Sequence, residues 1–249
     1  MSATYSVQRA IVTGAARGIG AGIARRLAAE GLAVAILDFD DATARDTADA
    51  IAADTGAHVV AIGCDVGDRA AVARAVPEAA EALGGLDTLV TNAGIARDAF
   101  LHKMTDEAWD AVLGVHLTGT FACLRAAAPY LRAEGPGRVV CISSVSGAMG
   151  NLGQANYTAA KGGITALVKT AARELARAGT TVNAIRPGFV DTDMTRAMPD
   201  TARAALIAAI PLARAGQPAD IAGPVAFLCS DDAAFMTGAV LDVNGGFYM

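Results

Sequence analysis

A doubly wound α/β fold, one parallel sheet of about seven strands with helices on both faces, is the architecture this sequence predicts. Short, almost continuously apolar runs recur along the chain, as strands covered on both faces must be. Alanine-rich stretches of helical propensity separate them. Glycines collect where the first strand gives way to the first helix. Repeated strand–helix–strand order implies parallel strands joined by crossovers.

The expected strands, in order, are Arg9–Gly14 (RAIVTG), Ala33–Asp38 (AVAILD), His58–Gly63 (HVVAIG), Leu86–Asn92 (LDTLVTN), Arg138–Ser144 (RVVCISS), Thr181–Pro187 (TVNAIRP) and Ala239–Gly245 (AVLDVNG). Between them, ATARDTADAIAAD and RAAVARAVPEAAEAL favour helix, with Pro77 expected to kink or delay the second. No Pro- or Ser-rich linker and no short repeat interrupts the pattern, so residues 1–249 are expected to form a single doubly wound domain.

A chain of 249 residues can bury a sizeable core without a metal or disulfide staple. Its 53% hydrophobic and 18% charged residues exclude a disordered chain. Twenty basic side chains against 25 acidic ones leave a net charge of −5. No basic run exceeds a pair such as Arg25-Arg26, so neither nucleic acid nor an anionic membrane is an expected partner. Cys64, Cys123, Cys141 and Cys229 form no C-x-x-C pair and read as small buried hydrophobes in a reducing compartment, with no metal site expected. The opening MSATYSVQRA lacks a signal pattern, and no apolar run reaches the roughly 20 residues a bilayer requires. A soluble cytoplasmic protein is the expectation.

After the first strand comes TGAARGIG, with Gly14, Gly18 and Gly20 spaced G-x-x-x-G-x-G. A tight turn alone explains such a triplet. Between a first strand and a first helix, the missing side chains also let a pyrophosphate approach the backbone and the helix N-terminus, as in Rossmann-type folds. The second strand ends in Asp38, where a carboxylate accepts hydrogen bonds from an adenine ribose. It would also repel a 2′-phosphate: a unit-charge pair at 4 Å interacts by about 4 kcal/mol at an effective dielectric near 20. Arg17 pulls the other way, since it could pair with that phosphate. The fixed carboxylate outweighs the longer side chain, so NAD(H) is the favoured cofactor and NADP(H) the alternative. At later strand ends, Asp65 in CDVGD stands where it could meet the adenine amino group, and Asn92-Ala93-Gly94 in TNAGIA sets small residues against the cofactor.

Tyr157 and Lys161 are four residues apart in NYTAAKGG, on one face of an expected helix. A nearby ammonium favours a phenolate, so Lys161 is expected to lower the Tyr157 pKa. Tyr157 could then give a proton to a carbonyl oxygen or take one from an alcohol. Ser144, at the end of the fifth strand, could hydrogen-bond the same oxygen. Alone, the pair is also an ordinary surface feature of a helix.

Taken together, TGAARGIG, NAG, the Ser144 strand end, YTAAK and RPGFVDTDM resemble the short-chain dehydrogenase/reductase family over essentially the whole chain. The resemblance implies that Ser144, Tyr157 and Lys161 are catalytic. It implies a cofactor lined by Gly14, Arg17, Gly18, Ile19, Gly20, Asp38, Asp65, Val66, Asn92, Ala93, Gly94, Pro187, Gly188, Val190 and Thr192, with Tyr157 and Lys161 touching it too. Within the family, GNLGQANYTAAKGG, IPLARAGQPADIAGPVAFLCSDDAAFMTG and the ending VNGGFYM look most like 3-oxoacyl-(acyl-carrier-protein) reductases. That implies a 3-oxoacyl thioester reduced to a 3-hydroxyacyl thioester, with acyl carrier protein a possible partner, and a homotetramer.

Three features depart from that pattern. His116, in GVHLTGTF, stands where the family usually has a catalytic asparagine, and resembles the 3-hydroxyacyl-CoA dehydrogenase units of peroxisomal multifunctional enzymes. It reads either as part of a proton relay or as a satisfied helix-interior ring. Asp38 favours NAD(H) where such reductases mostly use NADPH. LRAEGPGR (131–138) lacks a basic cluster, leaving Arg173 and Arg177 as candidate anion contacts. The departures lean toward CoA thioesters or a small secondary alcohol. A catalytically silent dinucleotide-binding protein is the remaining alternative. Asp191 to Leu206, carrying Met194 and Met198, reads as a lid, and Trp109 with most phenylalanines reads as core.

Overall fold

The computed structural model describes residues 4–6, 8–133, 135–196 and 198–249. Strands β1 (Arg9–Thr13), β2 (Ala33–Asp38), β3 (Val59–Gly63), β4 (Thr88–Thr91), β5 (Arg138–Ile142), β6 (Thr181–Pro187) and β7 (Val240–Val243) form one sheet. Their order is β3-β2-β1-β4-β5-β6-β7, and every pairing is parallel. All seven expected strands are present, five of them one to three residues shorter.

The apolar runs are continuous because both faces are covered, and the period-two alternation survives within the strands. Ala10 and Val12 of β1, Val34 and Ile36 of β2, and Val140 and Ile142 of β5 face one core layer. Ile11, Ala35, Leu37, Val139 and Cys141 face the other. Helices α1 (Gly18–Ala29), α2 (Asp41–Thr55) and α10 (Pro218–Cys229) close the first layer. Helices α3 (Arg69–Leu83), α5 (Gly119–Ala133) and α7 (Ala155–Leu175) close the second. Short helices α4 (Asp106–Leu113), α6 (Ser146–Met149), α8 (Asp193–Arg196) and α9 (Asp200–Ala208) lie between or beyond them. The order reverses at β1 and β4, where neighbouring connections leave in opposite directions and open a crevice at the strands' carboxyl ends.

Three expectations are corrected. Pro77 does not delay α3: Asp68 caps its N-terminus, accepting from the Ala70 amide at 2.8 Å, and Val72, Ala75, Val76, Ala79, Ala80 and Leu83 bury one face. Phe39, Phe100, Phe121, Phe227, Phe235 and Trp109 are exposed rather than core. Alanine, valine, isoleucine and leucine fill the two layers, leaving little room for rings between sheet and helix. Finally, α4, a π turn at Gly114–Thr118 and α5 run on as one helix, Asp106–Ala133. By length and a mean hydropathy of 1.3, that helix could cross a membrane. Its scattered polar residues hid this in the sequence. Here it packs on α3 and α7 and buries Cys123, Leu124, Ala127 and Leu131. All four cysteines are free and buried, and burial pushes their thiols up, Cys64 and Cys141 to about 11 and Cys123 and Cys229 to about 12.

Candidate active site

The crevice encloses about 880 Å³. At one end, Gly14 and Gly18 hold left-handed φ of 64° and 60°, a region that favours glycine. A Cβ on Gly14 would also stand 2.5 Å from the Ala93 Cα. The first turn of α1 has no side-chain cap and no acidic residue, so its free N–H groups are available where Gly18 and Ile19 line the crevice. Gly20 does not line it. A Cβ there would meet the Gly14 carbonyl oxygen at 2.2 Å and Asn92 Nδ2 at 2.6 Å, so close packing of the turn requires glycine at this position. Asn92 braces the same loop: its Nδ2 donates to the carbonyls of Thr13 (3.1 Å) and Gly14 (2.9 Å).

Asp38 closes this end of the crevice with a carboxylate fixed by two backbone donors, Ala16 N at 2.9 Å and Asp40 N at 3.0 Å. Arg17 is not free, as its guanidinium is ion-paired to Asp40. Phe39, Asp40, Asp65 and Val66 complete the wall, and Asp65 is held by the Gly67 amide at 2.8 Å. After β6, Pro187, Gly188, Val190 and Thr192 form the facing wall. An uncapped helix start, glycine backbone and a fixed carboxylate make a donor and acceptor set that fits a dinucleotide.

Ser144, Tyr157, Lys161 and His116 line the other end. Tyr157 and Lys161 share one face of α7 as expected, with Nζ 5.6 Å from the phenol ring centroid. Lys161 is buried and donates to the Ile142 carbonyl at 2.8 Å. The expected lowering of the Tyr157 pKa is corrected for the free site: burial raises it, the Ser144 hydroxyl lowers it, and Asp98 raises it further. Burial pushes Lys161 down to about 8. The phenol therefore keeps its proton at neutral pH, while most of the ammonium survives.

His116 sits in the π turn, a local widening of the helix that often marks functional positions. Its ring meets that of Tyr157 edge-on, centroids 5.1 Å apart. Nε2 lies 2.8 Å from the Ile95 carbonyl oxygen and 3.1 Å from the Ile95 amide, and buried Nδ1 has no hydrogen-bond partner among the described residues. Burial first, then the Lys161 charge, push its pKa down to about 3, so the imidazole is neutral at physiological pH. Gly94 makes room for it, since a Cβ there would lie 2.3 Å from Cε1.

Of the residues expected in the site, the structure brings all but Gly20 to this crevice. Sequence reasoning missed Phe39, Asp40 and the π turn. Only DFDD after the second strand hinted at Asp40, and no local pattern marks the turn. Arg173 and Arg177 join Arg132 and Glu174 at a separate, shallow cleft of about 530 Å³. Arg173 lies sixteen residues, roughly 24 Å, along α7 from Tyr157. The segment expected to act as a lid forms α8 and α9, tied by Asp191 to Arg196 and Arg203, each at 3.1 Å. The Met194 side chain and Ala197 lie outside the described residues.

A family model described as enoyl-(acyl carrier protein) reductase matches residues 14–248. The chain belongs to the short-chain dehydrogenase/reductase family. It is 46% identical over 243 residues to 3-oxoacyl-(acyl-carrier-protein) reductase FabG of Staphylococcus aureus strain Mu50, covering 96% of this chain and 98% of that one. To the FabG of Escherichia coli K12 it is 44% identical over 240 residues, covering 96% and 97%. A crystal structure described as a short-chain alcohol dehydrogenase from Sinorhizobium meliloti 1021 superposes with a TM-score of 0.93 at 36% identity, covering 98% and 97%. As a member of this family, the protein is an oxidoreductase that uses a nicotinamide cofactor.

Proposed function

We propose that the chain interconverts a 3-oxoacyl thioester and its 3-hydroxyacyl thioester, with NADH and NAD as the favoured cofactor pair. The observation that carries this is one crevice with a dinucleotide-binding end and, at its other end, Tyr157, Ser144 and Lys161. The relatives named for 3-oxoacyl-(acyl-carrier-protein) reduction support the thioester, with CoA or acyl carrier protein as its carrier. When bound, the cofactor supplies hydride to the 3-oxo carbon or takes it back. The Tyr157 hydroxyl donates its proton to the carbonyl oxygen, and the Ser144 hydroxyl donates a hydrogen bond to that oxygen. The Lys161 ammonium stabilises the phenolate left behind. His116, neutral and edge-on to Tyr157, replaces the family's usual asparagine in the path that returns a proton.

Residues 1–249 work as one domain in this reading, and α8 and α9 act as the lid over the acyl chain. Exposed Trp109, Phe121, Phe227 and Phe235 favour burial between subunits, consistent with a cytoplasmic homotetramer. A small secondary alcohol is the second reading, favoured by the likeness to a chain described as an alcohol dehydrogenase. Initial rates of NADH loss decide between them. Turnover with acetoacetyl-CoA well above that with simple ketones is expected; turnover with simple ketones alone would reject the thioester.

The pH profile follows from the site. Lys161 is charged below about 8 and neutral above, so kcat/KM for reduction falls as pH rises through that value. Because its folded pKa is depressed, the same group makes the free protein more stable as pH climbs from about 8 toward lysine's ordinary value. His116, at about 3, adds no ionisation near the ordinary histidine pKa. A step in kcat/KM near pH 6.5 that disappears in His116→Asn would contradict the neutral ring.

A further inference from the structure

We propose that Asp40 sets cofactor selectivity by holding Arg17 away from any 2′-phosphate. The inference rests on the NAD(H) reading above and supplies a cause for it beyond Asp38. Among the described residues, three basic side chains line the crevice: Arg17, Arg97 and Lys161. Lys161 lies at the chemical end, bonded to the Ile142 carbonyl. Arg97 belongs to that end as well, because Asn156, next to Tyr157, donates to its backbone carbonyl at 3.0 Å. Arg17 is therefore the cation beside Asp38, where an adenine ribose would sit.

Asp40 is well placed to keep Arg17 occupied. It is the N-cap of α2, accepting from the Thr43 amide at 3.2 Å and the Thr43 hydroxyl at 2.8 Å. The oxygen that takes the Thr43 hydroxyl also takes the Arg17 guanidinium. These bonds to Thr43 hold the Asp40 carboxyl below its usual pKa, so it stays ionised at neutral pH. Arg17 itself occupies the N-cap position of α1. The ion pair thus links the starts of two helices across the mouth of the ribose site.

Asp38, Asp40 and Arg17 together carry a charge of −1. A cofactor with free ribose hydroxyls needs only acceptors here, and Asp38 supplies them. A 2′-phosphate brings nearly two negative charges. To be neutralised it must draw Arg17 off Asp40, leaving two carboxylates facing it. Exposed ion pairs are weak against water, so Asp40 does not lock Arg17 absolutely. It biases the choice against the phosphate.

The test is the ratio of dissociation constants for NADPH and NADH, read by nicotinamide fluorescence titration without turnover. Asp40→Asn keeps an efficient N-cap and removes the charge. Asp40→Ser, which also caps, serves if the first variant folds poorly. The expected result is that NADPH tightens about tenfold relative to NADH, with binding that weakens as salt rises. Adding Arg17→Met to Asp40→Asn is expected to reverse the gain. A wild type that prefers NADH, with a ratio that neither Asp40 variant changes, overturns the role of Asp40 and leaves the NAD(H) reading standing. A wild type that binds NADPH more tightly than NADH overturns both.

Discussion

Replacing Tyr157 by phenylalanine is expected to lower kcat/KM for thioester reduction by about a thousandfold or more, with the fold unchanged. Removing a positioned general acid typically costs about 10² to 10⁴ in rate, and a thousandfold is about 4 kcal/mol of transition-state stabilisation. The upper part of that range applies because, among the described residues, no other acid of comparable strength stands ready to replace it; the Ser144 hydroxyl is a far weaker acid than a phenol. Lys161 is turned to the Ile142 carbonyl, and the His116 imidazole carries no exchangeable charge at neutral pH. The ring survives in the variant, so its edge contact with His116 and the start of α7 persist. Steady-state kinetics beside a thermal melt separate loss of chemistry from loss of structure. A variant keeping more than about a tenth of wild-type turnover would mean that another group, or water, delivers the proton.

Gly20→Ala has the second large effect, and it acts through space rather than through backbone conformation. The added methyl would lie 2.2 Å from the Gly14 carbonyl oxygen, 2.6 Å from Asn92 Nδ2 and 2.8 Å from the Ala15 Cα. Two of these are backbone atoms, and the third is an amide bonded to the Thr13 and Gly14 carbonyls. Nothing among them yields cheaply. Overpacking at such a site costs about 3 kcal/mol, which for a chain this long lowers Tm by roughly 10 °C. The displaced Gly14 turn would also lose its fit to a pyrophosphate, so NADH no longer raises Tm in the variant. Gly223→Ala in α10 is the control, since a Cβ there meets only Arg26 Nη1 at 3.9 Å. It is expected to stabilise by about 0.5–1 kcal/mol through helix propensity alone. Equal melting temperatures for the two variants would show that the loop relaxes around the methyl.

Local patterns in the sequence marked the strands, the glycine turn and the shared face of Tyr157 and Lys161, because each depends on spacing along one element. Features set by contacts between distant elements left no such pattern. The Arg17–Asp40 pair joins the starts of α1 and α2. The environment of His116 comes from Ile95, Gly94 and Tyr157, which lie on other segments. Gly20 reads in the sequence as one of the motif glycines, and only its approach to Gly14 and Asn92 reveals how tightly it is packed. The Tyr157 pKa was misjudged for a related reason: spacing supplies the lysine's charge, whereas burial of the phenol is a property of the whole site.

In the proposed reaction, hydride passes to the 3-oxo carbon of a thioester and Tyr157 supplies the proton. Its most direct test uses NADH deuterated at both C4 positions with acetoacetyl-CoA, followed by mass spectrometry of the product. The expected product is 3-hydroxybutyryl-CoA carrying one deuterium at C3, formed by the wild type and nearly absent with Tyr157→Phe. Unlabelled product, or labelled product formed equally fast by both proteins, would contradict it.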